Sequence, residues 1–457
     1  MRNLLFPLLV LSPLAACTGE DIDSDTTDSD ADTDTDSDTD TDTDTDTDTD
    51  TDLPEAECVE EGGACVLSGT YTQDMRLTAD KPWLLRSGVL IGDDHTDVTL
   101  QIEAGTSVYG ESSTNGLLII KRGGKIRAEG TAAAPVVFTS DQPVGSRARG
   151  DWVGVVLNGR GIINACTDGS DPCEAEGEGG TGTYGGSDNA DSSGSMTYVV
   201  IEFGGTEVSP DNEVNGLGLQ AVGSGTVIDY VQIHNTLDDC VEFWGGAVDV
   251  KHLVCTSPGD DGIDWDLGWV GRLQFGVVQQ GWGIGNNGIE ADNHPTDYVA
   301  EPITSPTVSN ITLIGDSALA ESNFGVLLRH GSYGKLQNVA VAGFSTGCLA
   351  MRDQATLDGF VNGDAWITNS VLACPTPFED TEEEPIFEAG GSNAVVADLK
   401  LVDAYDLAAP DFRLASGSPL ASGGQAPADS FFTAATFIGA FDGTTDWTAG
   451  WTTHDDN

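Results

Sequence analysis

DDCVEFWGG (residues 238–246) and DDGIDWDLG (260–268) begin 22 residues apart and agree in character almost position by position. NNGIEADNH (286–294) repeats the phrase 26 residues further on. Stacked on one another, the copies put Val241, Ile263 and Ile289 in one column and Phe243, Trp265 and Ala291 in a second. Alternating with these are Glu242, Asp264 and Glu290, then Trp244, Asp266 and Asp292. Period two sends successive side chains to opposite faces of a strand, so the apolar columns face a core and the acids face outward. A unit this short cannot bury its own apolar face, but copies stacked as parallel strands about 4.8 Å apart can. The leading pairs, Asp238-Asp239, Asp260-Asp261 and Asn286-Asn287, fall at a turn, where their side chains accept backbone N–H bonds.

The interval extends outward from this stretch. DYVQIHN (229–235), KHLVCTS (251–257) and LQFGVVQ (273–279) start 22 residues apart, and SNITLIG (309–315) and LQNVAVA (336–342) continue the series after insertions. Short runs of Val, Ile and Leu recur between Gly, Asn, Asp and Ser, and 58 glycines suit many tight turns. Helical periodicity is nearly absent. A period near 22 with two or three strands per unit marks a solenoid. The expected fold is all-β: a right-handed parallel β-helix over residues 58–457, with loop insertions near 160–195 and 294–308.

The N-terminal part is different in kind. Residues 1–16 read as a signal peptide: one basic residue, Arg2, a short apolar run and a small-residue end. The run closes on Leu14-Ala15-Ala16-Cys17, which resembles the lipobox of bacterial lipoproteins. That resemblance implies acylation of the Cys17 thiol and a lipid bilayer as partner. Thr18, where an Asp would retain the protein at the inner membrane, implies sorting to the outer membrane and cell surface. From residue 18 to 57 the chain is mostly Thr-Asp and Ser-Asp repeats, with 19 acids and no base. Such a segment buries nothing and repels itself, so residues 17–57 are expected to form a lipidated, disordered stalk. The repeats lack the turn Gly and closing Glu of a calcium loop.

The chain of 457 residues has a formal charge of −57, and 56 acids face 17 bases beyond the stalk. Nucleic acid is therefore excluded as a partner, whereas cations and weakly charged polymers suit the surface. Nine cysteines less Cys17 leave eight, and an exported chain with an even number forms disulfides. Among the 105 possible connectivities, nearest neighbours pair Cys58–Cys65, Cys166–Cys173, Cys240–Cys255 and Cys348–Cys374.

LQIEAGTSVYG, LLIIKRGGKIRAEGTAAAPVVFTS, GDWVGVVLNGRGIIN, NEVNGLGLQAVGSGTVIDYVQ and the closing FIGAFDGTTDWTAGWT give the chain a specific resemblance. It resembles bacterial outer-surface lipoproteins of the parallel β-helix, pectin-lyase-like superfamily. The resemblance implies the fold and the location, and little about chemistry.

The outward acids are the candidate site. Two carboxylates about 5 Å apart repel by roughly 3 kcal/mol at an effective dielectric near 20 and by under 1 in water. A fully exposed ladder is tolerable; a half-buried one needs a cation or a raised pKa. Glu242, Asp264, Asp266, Glu290 and Asp292 are thus candidate metal ligands, with Ca²⁺ as the ion. The next rung sets Arg329 above Asp292 with His330 beside it, and Trp244, Trp269 and Trp282 are close in sequence. Arg329 is a candidate catalytic base for a calcium-assisted polysaccharide lyase, and paired carboxylates suit a glycoside hydrolase. Catalytic residues break a repeat, whereas these acids preserve it. The primary reading is accordingly recognition or display at the cell envelope, with a polysaccharide, another surface protein or a divalent cation as ligand. His95, His234 and His252 have no second His at ligand spacing and read as structural. GEGGTGTYGG (177–186) lacks the Lys-Ser/Thr of a phosphate loop and reads as a flexible loop.

Overall fold

A computed structural model describes residues 53–209 and 212–457. The expected signal peptide, Cys17 and nearly all of the expected stalk lie outside the described residues. Successive coils pair in parallel and build one 25-stranded sheet wound into a β-helix. The register is the one the repeat predicts. Val241 pairs with Ile263 and Ile263 with Ile289, and Phe243, Trp265 and Ala291 pair likewise. All six side chains are buried. Trp265 lies inside the coil at a tilt to Trp269, which stacks on Phe243 at 4.0 Å, centroid to centroid.

Two of the three faces come from long strands such as Val227–His234, Asp249–Thr256 and Arg272–Gln279. Each is bent at mid-length by one left-handed residue. Tyr198, Tyr230, His252, Phe275, Asn310, Asn338 and Asn369 all have φ between 46° and 62°. A non-glycine residue there costs about 1–2 kcal/mol, and the side chains offset it in two ways. The aromatic residues stack: Tyr198 on Tyr230 at 4.5 Å, Tyr230 on His252 at 4.1 Å, His252 on Phe275 at 5.2 Å. The asparagines hydrogen-bond a returning segment of chain.

That segment, residues 397–457, adds no coil. It straps the outside of the helix and runs back toward the earlier rungs. A column of buried amides grips its backbone. Gln274 donates to Thr433 O (2.8 Å) and accepts from Thr433 N (2.7 Å). Asn338 does the same with Gln425, and Gln232 with Thr453. Beneath the strap, outward-facing Val200, Val254, Val277 and Ala340 meet Phe412, Leu420, Ile438, Phe441 and Trp451 in a second apolar core. Two short helices, α1 (Gln354–Asn362) and α2 (Glu383–Ala389), lie by the last coils. Buried Glu383 accepts the N–H groups of Met351 (3.1 Å) and Asp380 (2.9 Å) there. Cys58–Cys65, Cys166–Cys173, Cys240–Cys255 and Cys348–Cys374 are each bonded, with Cα separations of 5.4 to 5.8 Å.

Candidate functional site

The third face is built from Leu217–Gln220, Val241–Trp244, Ile263–Asp266 and Ile289–Ala291. It stacks Glu242 on Asp264 on Glu290, and Asp266 above Trp244. Asp292 and Arg329 follow in register one residue past the Ala291–Leu328 pair.

The turn leading into each strand is held by a side-chain ladder. Asn215 Oδ1 accepts from Asp239 N (3.2 Å), Asp239 Oδ1 from Asp261 N (2.8 Å), Asp261 Oδ1 from Asn287 N, and Asn287 Oδ1 from Phe324 N (3.2 Å). The second member of each leading pair therefore does the turn-building expected of both. Asn215 was missed, although Asn215-Gly216-Leu217 has the same pattern as Asp261-Gly262-Ile263 and Asn287-Gly288-Ile289.

A fully exposed ladder is not what the structure contains. Glu242, Asp264, Asp266 and Asp292 are half-buried and Glu290 is buried. The cause is a roof. Residues 159–193 fold over the face as a disulfide-tied hairpin, Cys173–Glu176 paired with Thr183–Gly186. Ile163 and Tyr184 pack there on Ala221 and Trp244. The glycine-rich stretch is thus part of an ordered cover. Asn164 ties this cover to the second insertion through Asn293 Oδ1 (2.8 Å) and Pro302 O (3.0 Å). The three tryptophans, though close in sequence, do not come together. Trp244 lies under the cover, Trp269 in the core, and Trp282 is exposed on a separate turn.

Enclosure changes the carboxyls. Burial first, and then Asp264, pushes Glu242 well above the usual carboxylate range. Burial and Asp292 do the same to Asp264 and Asp266. Asp261 is pushed up to about 8 by burial and Asp260, and Asp238 to about 7 by the same causes. Glu178, from the cover, is raised to about 7 by burial and Glu213. Asp264 Oδ1 and Asp266 Oδ1 are sealed from solvent with no hydrogen-bond partner.

Carboxylate oxygens of Asp239, Glu242 and Asp264 all lie within 4.8 Å of one another, as do those of Asp238, Asp239 and Asp260. Calcium takes oxygens at about 2.3–2.6 Å, so two ligands across the ion stand about 5 Å apart. The first trio has the spacing for such an ion: Asp264 Oδ1 has no donor, while Asp239 Oδ1 and Glu242 Oε2 each already accept one hydrogen bond, from Asp261 N and from Asn215 Nδ2 (2.6 Å). Of the candidate ligands, Glu242 and Asp264 belong to it. Asp266 faces Asp292 and Glu178.

Glu290 and Asp292 are otherwise engaged. Arg329 contacts Glu290 and donates Nε to Asp292 Oδ1 (2.8 Å), while His330 Nδ1 meets Asp292 Oδ2 at 2.9 Å under stacked Tyr298. Arg329 is therefore ion-paired with Glu290 and Asp292, while burial lowers its pKa from the usual guanidinium range and pushes Asp292 up to about 7.

A family model described as a pectate-lyase like beta helix domain matches residues 69–400. Comparison with curated proteins and with solved structures returns no match.

Proposed function

From the premise that the chain belongs to the pectate-lyase-like β-helix family, we propose that it is a carbohydrate-recognition protein of the cell envelope that holds a divalent cation on its roofed face. The observation that carries this reading is Asp264: enclosed, without a hydrogen-bond donor, and within 4.8 Å of two more carboxylates. Repulsion at that spacing is about 3 kcal/mol per charged pair at an effective dielectric near 20, and a bound Ca²⁺ reverses its sign. Glycan hydroxyls or carboxylates complete the coordination of such an ion. Arg329 supports recognition over lyase chemistry, because its guanidinium is turned onto Glu290 and Asp292 of its own chain. Acylated Cys17 and the acidic stalk tether the domain to the outer membrane in this reading.

A second reading, glycoside hydrolysis, is favoured by one observation: the raised carboxyls of Glu242 and Asp264 keep a proton for a general acid. Calorimetry separates the possibilities. Ca²⁺ should bind, raising stability by about 2.7 kcal/mol at a hundredfold excess over its dissociation constant. Asp264→Asn with Asp266→Asn should abolish the binding heat. No heat at millimolar Ca²⁺ would remove the cation site. Release of reducing ends or unsaturated products from a polysaccharide panel would replace recognition with catalysis. Cys17→Ser should move the protein from the membrane to the soluble fraction; unchanged fractionation would refute the tether.

A further inference from the structure

The hairpin of the cover is held less firmly than the arm that leads into it. The arm lies along the coils: Ile162 O accepts from Gly246 N (2.9 Å) and Asn164 N donates to Leu267 O (3.0 Å). The hairpin, Cys173–Glu176 with Thr183–Gly186, reaches the coils chiefly through side chains. Asn158 donates to Thr181 O (2.9 Å), Gln220 meets Thr181 Oγ1 at 3.3 Å, and Arg122 donates to Glu174 Oε1 (2.6 Å) and Gly185 O (3.1 Å). Gly185 N donates to Gly159 O (3.1 Å) at the root of the arm, and the buried Tyr184 ring faces Asp266 and Glu242. A lone two-stranded hairpin is marginally stable at best. At the outer end the hairpin is stapled to the arm by Cys166–Cys173. Both cysteines are half-buried, and residues 167–172 between them are exposed. Each of the other three disulfides has a cysteine in the core: Cys65, Cys240, Cys255 and Cys348 are all 0% exposed.

We propose that Cys166–Cys173 is a thiol-operated latch, which lets the hairpin lift off the acidic face while the coils stay folded. The co-reactant is a small-molecule thiol. Its thiolate attacks one sulfur and expels the other cysteine, which takes up a proton. A second thiolate attacks the reductant's sulfur in the mixed disulfide and expels the remaining cysteine. Two cysteine thiols and one oxidised reductant result, with two electrons passed to the protein. Access governs which disulfide exchanges first, and access is what sets this one apart. By chain entropy, a bond across a sequence separation of 7 favours the closed form on the order of fiftyfold. Once it is broken, the hairpin keeps only the contacts named above. Asp264 Oδ1 and Asp266 Oδ1, sealed in the closed form, then become reachable from solvent. The latch operates whether or not an ion binds beneath it.

Full-length protein is exposed to stepped concentrations of glutathione, alkylated and mapped by mass spectrometry, with amide exchange followed in parallel. Cys166 and Cys173 should be alkylated at thiol concentrations that leave the other three disulfides intact. In that reduced form the amides of residues 174–186 should exchange about tenfold faster or more, while Val241–Trp244 and Ile263–Asp266 keep their protection. Cys166→Ser with Cys173→Ser should show the same fast exchange with no thiol present. If that pair does not fold, the thiol series on the unmodified protein decides alone. The proposal is overturned if another disulfide yields first, if the hairpin stays protected after Cys166 and Cys173 are alkylated, or if the coils lose protection together with it. A failed Ca²⁺ titration with the latch working would sink the cation reading and leave this one standing.

Discussion

At the scale of single residues, opposing titrations shape stability. His234 is buried between Thr256 Oγ1 (2.7 Å) and Asp455 O (2.9 Å), and burial pushes it down to about 4. The unfolded chain takes up that proton first, so His234 removes stability as pH falls from about 6.5 toward 4. Asp261, pushed up to about 8, works the other way: the folded state holds its proton where the unfolded state does not. Each such group lowers stability by up to about 1.4 kcal/mol per pH unit as pH rises through that window. In calcium-free buffer the melting temperature should therefore climb as pH drops from 8.5 to about 6.5. Asp261→Asn keeps the acceptor for Asn287 N, as Asn287 itself does for Phe324. It should raise the melting temperature at pH 8.5 and change little at pH 5; equal effects at both would contradict the assignment. The alternation that sorted Ile263 from Asp264 was legible, because period two is local. The neutralising surroundings were not, because Glu178 and Asp266 are 88 positions apart.

Among the elements, the strap and the cover carry the most information that periodicity could not. Both are irregular chains whose partners sit on distant coils, so neither has a period of its own. Tyr184 stood in a stretch whose glycines pointed only to a loop, and FIGAFDGTTDWTAGWT was recognisable by resemblance without revealing what it covers. The strap's attachment is testable at Gln274, which is fully buried and holds both polar groups of Thr433. Gln274→Ala leaves those groups unpaired and should cost about 1–3 kcal/mol. Limited proteolysis should then release C-terminal fragments before any cut in the coils. Simultaneous loss of strap and coils would show that the strap has no separate stability.

Across the whole molecule, each coil contacts chiefly its neighbours, and stability is shared between coil interfaces. The 22-residue interval was enough to deduce that architecture, since the insertions change loop length without shifting strand register. One feature has a direction built into it. In the ladder from Asn215 through Asp239, Asp261 and Asn287 to Phe324, every acceptor belongs to the earlier coil and every donor to the later one. A chain that emerges N-terminus first thus meets, at each step, a finished template whose waiting oxygen tells the next turn where to close. Pulse-labelled amide exchange during refolding should protect Asp239 N before Asn287 N; the reverse order would deny the template its role. The strap is made after the coils it lies across, so it acts as a latch on a structure written in reading order.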